Sequence, residues 1–187
     1  MSNKTYPLDD IQVLSSLEAV RKRPSFYYDL ADPMLGSKII LTPLAWALEA
    51  KVEAHVSIIS PERATLSWKK ALPTESRGSM PWRQAEALVS QLFAGAPSAG
   101  LFDAVCPQLV VVNAACHMFD LIINDQHGEW GQRFFKGKAE TPFELIGDSK
   151  GDHTFIETWL DTELLQGATI DERFVQSWCG DRQIQVL

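Results

Sequence analysis

At 187 residues the chain is the size of one domain, or of one domain with a small appendage. Its hydrophobic fraction of 45% and charged fraction of 22% are those of an ordinary globular protein, and no apolar run reaches the roughly 18 residues that a transmembrane helix needs. A net charge of −7 argues against broad binding of phosphate backbones, so no direct nucleic-acid binding is expected.

The N-terminus, "MSNKTYPLDD", lacks a basic-then-apolar leader pattern, which places the protein in the cytoplasm as an expectation. The first predicted helix covers 10–23. Ile11, Leu14 and Leu17 share one face, joined by Val13 and Val20, and Asp9 with Gln12 gives a variant of the capping box. Arg21, Lys22 and Arg23 fall in the last turn, where cations suit the negative end of the helix dipole, and Pro24 stops the helix. A second, strongly apolar helix is predicted over 34–53, with Pro43 kinking it or interrupting its start.

Two strands follow, 54–60 and 64–70, joined at Pro61-Glu62. Residues 81–94 read as a helix with Pro81 near its first position, and "GAPSAG" (95–100) as a small-residue loop. The stretch 109–116, "LVVVNAAC", fits either a buried strand or an apolar helix. Residues 118–125 and 129–137 form a hairpin pattern with Gly128 at the turn. Two more strands are predicted in 142–147 and 152–161. A helix then spans 168–180, with Thr169 as N-cap and Gly180 just past its end, and 182–187 closes the chain as a strand. Helices grouped early and strands grouped late give an α+β sandwich, a mixed sheet with helices on one face.

The chemistry-bearing residue types form no recognisable constellation. Cys106, Cys116 and Cys179 are odd in number and fit no zinc or disulfide framework, so they read as buried thiols in a reducing compartment. His55, His117, His127 and His153 show no metal-ligand pairing, and His127 reads as a hairpin-tip residue. Asp152, His153 and Thr154 are a local polar cluster, and there is no G-x-S-x-G.

The segment "IQVLSSLEAVRKRPSFYY" closely resembles the start of the ATPase domain of the DNA gyrase B subunit and related type II topoisomerases, in the GHKL ATPase family. The family pattern there is I-x-V-L-x-G-L-x-A-V-R-K-R-P-G-M-Y. Ile11, Val13, Leu14, Leu17, Ala19, Val20, Arg21, Lys22, Arg23, Pro24 and Tyr27 match it, while Ser16 and Ser25 stand for glycines and Phe26 for methionine. Further along, 85–95 resembles the helix before the ATP lid and "VVNAA" (111–115) the helix after it. "HGEWGQRFFKGK" resembles the following hairpin, and "HTFIETWLD" falls where the family has G-T-x-V-x-F-x-P-D.

The resemblance implies a two-layer GHKL (Bergerat-type) sandwich over 1–187. It includes an N-terminal arm at 1–9 but not the transducer domain that supplies a phosphate-sensing lysine. It also implies a bacterial-type ATPase, from which this sequence departs at every catalytic part. The position of the water-activating glutamate falls at Leu41 or Thr42, and that of the Mg²⁺-holding asparagine at Ala45 or Trp46. The strand end that should read D-x-G-x-G reads "WKKALP", with Trp68 at the position of the aspartate that accepts from the adenine amino group. Lys69 and Ala71 stand at glycine positions. The glycine-rich lid that wraps phosphates shrinks to "GAPSAGLFDAVCP".

No catalytic residue and no metal site is therefore assigned, and no cofactor is required. Glu49 as a substitute base and Lys69 with Lys70 as a phosphate grip compete with plain solvated positions. A residual nucleotide cleft would be marked by Thr154, at the family threonine near adenine, and by Lys69. Trp46 and Trp68 are expected to fill the former pocket. Three readings stay open: a pseudo-ATPase that binds a protein, a binder of a nucleotide or other small molecule, and an immunity or accessory protein that uses the scaffold only. For the first, Tyr6, Pro7 and Leu8 of the arm are the expected partner contacts. In the family the arm tyrosine closes over the partner's nucleotide, so the expected partner is a topoisomerase subunit or a second copy of the chain.

Overall fold

The computed structural model describes residues 16–49, 51–69, 71, 109–180, 182 and 184–186; at 16, 45, 46, 48, 49, 109 and 110 only the backbone is described. The arm with Tyr6, Pro7 and Leu8, the Asp9–Gln12 cap, Lys70, the expected helix at 81–94, the loop at 95–100 and Cys106 lie outside these residues.

The described helices are α1 (Ser16–Lys22), α2 (Leu35–Glu49), α3 (Leu109–Ala115) and α4 (Glu172–Gly180), with a 3-10 turn at Pro24–Phe26. The strands are β1 (Ala54–Ser60), β2 (Arg63–Trp68), β3 (Cys116–Asp125), β4 (Gly128–Phe135), β5 (Lys138–Ala139), β6 (Glu144–Gly147), β7 (His153–Leu160) and β8 (Ile184–Val186). They form one sheet in the order β5-β4-β3-β7-β2-β1-β8, with β6 also pairing β4. Among the described strands only β8 runs parallel to its neighbour, β1, so the sheet is mixed and the protein is α+β.

The period-2 alternation sets which face is core. On β7, Thr154, Ile156, Thr158 and Leu160 are buried, while His153, Phe155, Glu157 and Trp159 on the other face are partly open. The inner faces of β2 and β3 add Leu66, Trp68, Phe119, Leu121 and Ile123. Helix α2 lies over β1 and β2. It buries Leu35, Ile39, Ile40, Leu44 and Ala47, too many apolar positions for a half-exposed helix.

Pro43 sits inside α2, which therefore runs through the proline instead of starting at it. The Thr42 hydroxyl donates to the Lys38 carbonyl at 2.8 Å, a back-bond that suits the turn weakened by the proline. Gly36, near the start of the helix, has no room for a side chain, because a Cβ would overlap the Thr169 backbone carbonyl.

Several boundaries differ from expectation. Helix α2 ends at Glu49, and Lys51 turns the chain with a φ of 54°. Residues 109–115 are helix, and β3 begins at Cys116. The helix at 168–180 starts only at Glu172. Its N-cap is Asp171, whose carboxylate accepts from Phe174 N–H at 2.9 Å, and Gly180 is its last residue. Thr169 cannot cap it, because Ile170 N–H is tied to Pro61 O and Asp171 N–H to the Ser37 hydroxyl. Strand β5, unexpected from the sequence, follows a two-residue turn at Lys136-Gly137. Both residues there have positive φ, 47° and 76°, the mirror-image turn that suits a hairpin's twist.

Candidate functional site

Two positions that the resemblance points to, Trp68 and Thr154, meet on one rung of the sheet. Trp68, the last residue of β2, is the cross-strand partner of Thr154 on β7. The rung continues through Ile123 of β3 to Trp130 of β4, and on the other side to Ala54 of β1. All are on the inner face. Trp68 is 1% exposed and Thr154 fully buried, so the rung belongs to the packed core. Thr154 and Trp68, far apart in sequence, are thus placed side by side.

Lys69 is not directed to Thr154. Its ammonium is 2.5 Å from Glu53 Oε2, and its backbone N–H donates to the Glu53 carbonyl. Glu53 also lies 3.3 Å from His55 Nε2, and the hydrogen bond from Lys69 holds the Glu53 carboxyl below its usual range. Lys69 and Glu53 are both solvent-exposed, so this pair is screened and weak. On α2, Leu41 is 4% exposed and carries no chemistry, and Thr42 is occupied by its own helix. Trp46 and Glu49 lie on the backbone of α2, with side chains outside the described set. Among the described residues no group of three or more His, Cys, Asp or Glu side chains could hold a metal ion.

The opening motif has a scaffold role that the structure makes explicit. Arg21 donates to the carbonyls of Ala114 at 2.8 Å and Cys116 at 3.3 Å, and pairs with Asp161 at 2.5 Å. Tyr28 donates to Val111 O at 2.6 Å. Tyr28 holds the first half of α3 and Arg21 its C-terminal end, where the Ala114 carbonyl is one of those a helix leaves open and the Cys116 carbonyl begins β3. Burial alone would raise the Asp161 carboxyl, but the Arg21 and Leu164 N–H hydrogen bonds and the nearby Arg21 and Lys136 charges hold it below the usual range. Burial pushes the Tyr28 hydroxyl up. Arg21 belongs to the R-K-R-P match and Asp161 to the "HTFIETWLD" match, so two separately matched segments meet in one buried ion pair.

A further polar corner was not foreseen from sequence. Asn124, fully buried, donates to Glu129 at 3.0 Å and accepts from Lys150 N–H at 2.8 Å. Lys150 Nζ pairs with Glu129 at 2.9 Å, and the Ser149 hydroxyl donates to Asp125 O. The Lys150 hydrogen bond holds the Glu129 carboxyl low. This network fixes the loop before Thr154. The "SKGDH" run gave no local sign of it, because its partners lie more than twenty residues away. Asn113 on α3 is fully buried, and among the described residues neither of its amide atoms has a hydrogen-bond partner.

The fold and this rung define an α+β protein with a mixed sheet, compatible with a GHKL-like sandwich. No family model matches the chain. Comparison with curated proteins finds the DNA gyrase B subunit of Clostridium acetobutylicum, 28% identical over 184 residues, covering 90% of this chain. It also finds the DNA gyrase B subunit of Rickettsia conorii, 29% identical over 198 residues, covering 92% of this chain. The chain spans about a quarter of the length of these relatives, 28% and 24% respectively. The similarity supports a gyrase B-like relationship over nearly all of the chain. Among the described residues no helix is long and apolar enough to cross a membrane.

Proposed function

We propose that the chain is a gyrase B-like ATPase-type domain that no longer hydrolyses ATP and acts as a protein-interaction or regulatory module. The partner is a topoisomerase subunit, or a second copy engaged through the arm residues Tyr6, Pro7 and Leu8. One observation carries the reading: Trp68 is buried as the rung partner of Thr154, where the resemblance expects the adenine-accepting aspartate. An indole N–H only donates, and the adenine amino group also donates, so the two cannot pair. The bulk of the ring adds to this, since the rung is part of the core.

The absence of the glutamate, asparagine and glycine-rich lid from the sequence points the same way. Removing a single oriented donor from an enzyme site already costs about 10²–10³ in rate. Engagement of Lys69 by Glu53 gives no support to a phosphate grip.

The partner is tested by mixing the chain with gyrase B, following co-elution on size exclusion and the supercoiling rate of reconstituted gyrase. Co-elution or a changed rate is expected. Neither effect, together with a monomeric chain, would overturn the topoisomerase and self-association versions.

A further inference from the structure

A cleft of about 640 Å³ opens between α1 and the β4–β5 hairpin, lined by none of the residues of the Trp68–Thr154 rung. Leu17, Phe135 and Ala139 give it an apolar lining. Gly137 contributes its bare backbone, and the place its Cβ would occupy is 3.5 Å from the Leu17 side chain. Phe135 packs edge-on against His117, with ring centres 4.7 Å apart, yet stays 43% exposed, and Lys136 Nζ stands 6.0 Å from its ring centre.

Around this floor stand Arg21, Lys22, Lys136 and Lys138, against two carboxylates, Glu18 and Glu140. Arg21 is bound to Asp161, and Lys138 lies 3.6 Å from Glu18. The lining is thus positive on a chain whose net charge is −7. β5 also ends the sheet, and its two residues, Lys138 and Ala139, line the same cleft.

An apolar floor, a cationic lip and a strand edge suit one kind of occupant. Building on the interaction-module reading, we propose that this cleft docks an extended acidic segment of a partner protein that carries an apolar anchor residue. The anchor would rest on Leu17 and Phe135. Carboxylates would meet Lys136 and Lys138, and the backbone would run along β5. Complementary charge of this kind acts on encounter rate and register as much as on affinity.

The test uses fluorescence anisotropy on the full chain. The probe is a fluorescein-labelled octapeptide of six glutamates around a central Leu-Phe pair. Its six-lysine counterpart and a labelled single-stranded oligothymidine serve as comparisons. Saturable binding of the acidic peptide, weakened by added salt, is expected. The double variant Lys136→Glu/Lys138→Glu should weaken it at least about tenfold. Arg173→Glu, an exposed charge reversal on α4, should leave it unchanged. Both variants are checked for an unaltered thermal midpoint. Where the double variant is unstable, Lys138→Glu alone is read, with a weakening of about threefold expected.

Absence of saturable binding, equal weakening by Arg173→Glu, or tighter binding of the oligothymidine would overturn the proposal. A failed peptide test with intact gyrase B co-elution would move the docking surface and leave the interaction-module reading standing.

Discussion

Replacing Arg21 by methionine removes a guanidinium while keeping most of the stem that packs beside α3. In the native protein Arg21 satisfies a carboxylate only 5% exposed and donates to two backbone carbonyls. Breaking a buried pair by removing one partner costs about 3–5 kcal/mol. Arg21 is itself 19% exposed, so water reaches part of the gap. The lower part of that range, about 3 kcal/mol, is the expected loss at pH 7. That is a large share of the about 5–15 kcal/mol available to a domain.

The pH dependence gives a second, independent signature. In the native protein the Asp161 carboxyl is held below its unfolded value, so its contribution is full above that value and is lost as pH falls through the folded one. In Arg21→Met burial acts without the cation, and the same carboxyl should rise. The folded variant then binds more protons than its unfolded chain, so it should gain stability on acidification from pH 7 to pH 5, where the native protein gains none from this group. Urea unfolding followed by tryptophan fluorescence measures both. A loss under about 1 kcal/mol at pH 7, the range of an exposed pair, would refute the buried-clamp reasoning.

Trp68→Ala should lower stability by about 3–5 kcal/mol, as expected for a fully buried large side chain; a loss under about 1 kcal/mol in urea unfolding would mean the rung is not packed core. Gly36→Ala should cost about 1–3 kcal/mol, because the new methyl meets the Thr169 backbone; thermal unfolding at or above the native midpoint would contradict this. Tyr28→Phe should cost about 1 kcal/mol by removing the hydroxyl's hydrogen bond to the half-buried Val111 carbonyl, read by the same denaturation; a neutral effect would show that water takes the place of the hydroxyl.

Local pattern carried the long elements well. The apolar density of α2 and the β3–β4 hairpin were legible, because their periodicity is strong and their partners are near in sequence. The stretch 109–116 was ambiguous for a physical reason. Its β-branched run suits a strand, but Arg21 and Tyr28 bind its carbonyls from a distant segment and favour a helix. The N-cap of α4 was misplaced because Ser37 and Pro61, remote in sequence, fix residues 170–171 before the helix can begin. β5 was missed because a Lys-Gly turn is a weaker signal than Asn-Gly.

At the candidate site, composition and spacing gave nothing. The family resemblance named Trp68 and Thr154, and the sheet register brings them together. It also named Lys69, whose ammonium lies 2.5 Å from the exposed Glu53 carboxylate. The Asn124 corner and the Arg21–Asp161 pair depend on contacts between distant segments of the chain, which no local reading supplies.

The proposed loss of nucleotide chemistry is tested most directly by isothermal titration calorimetry of the full chain with ATP and Mg²⁺, with the ATPase domain of a gyrase B as positive control. With an indole at the adenine-accepting position, the expected result is a flat titration, with any affinity weaker than about 1 mM. Saturable, Mg²⁺-dependent binding at one ATP per chain would contradict it.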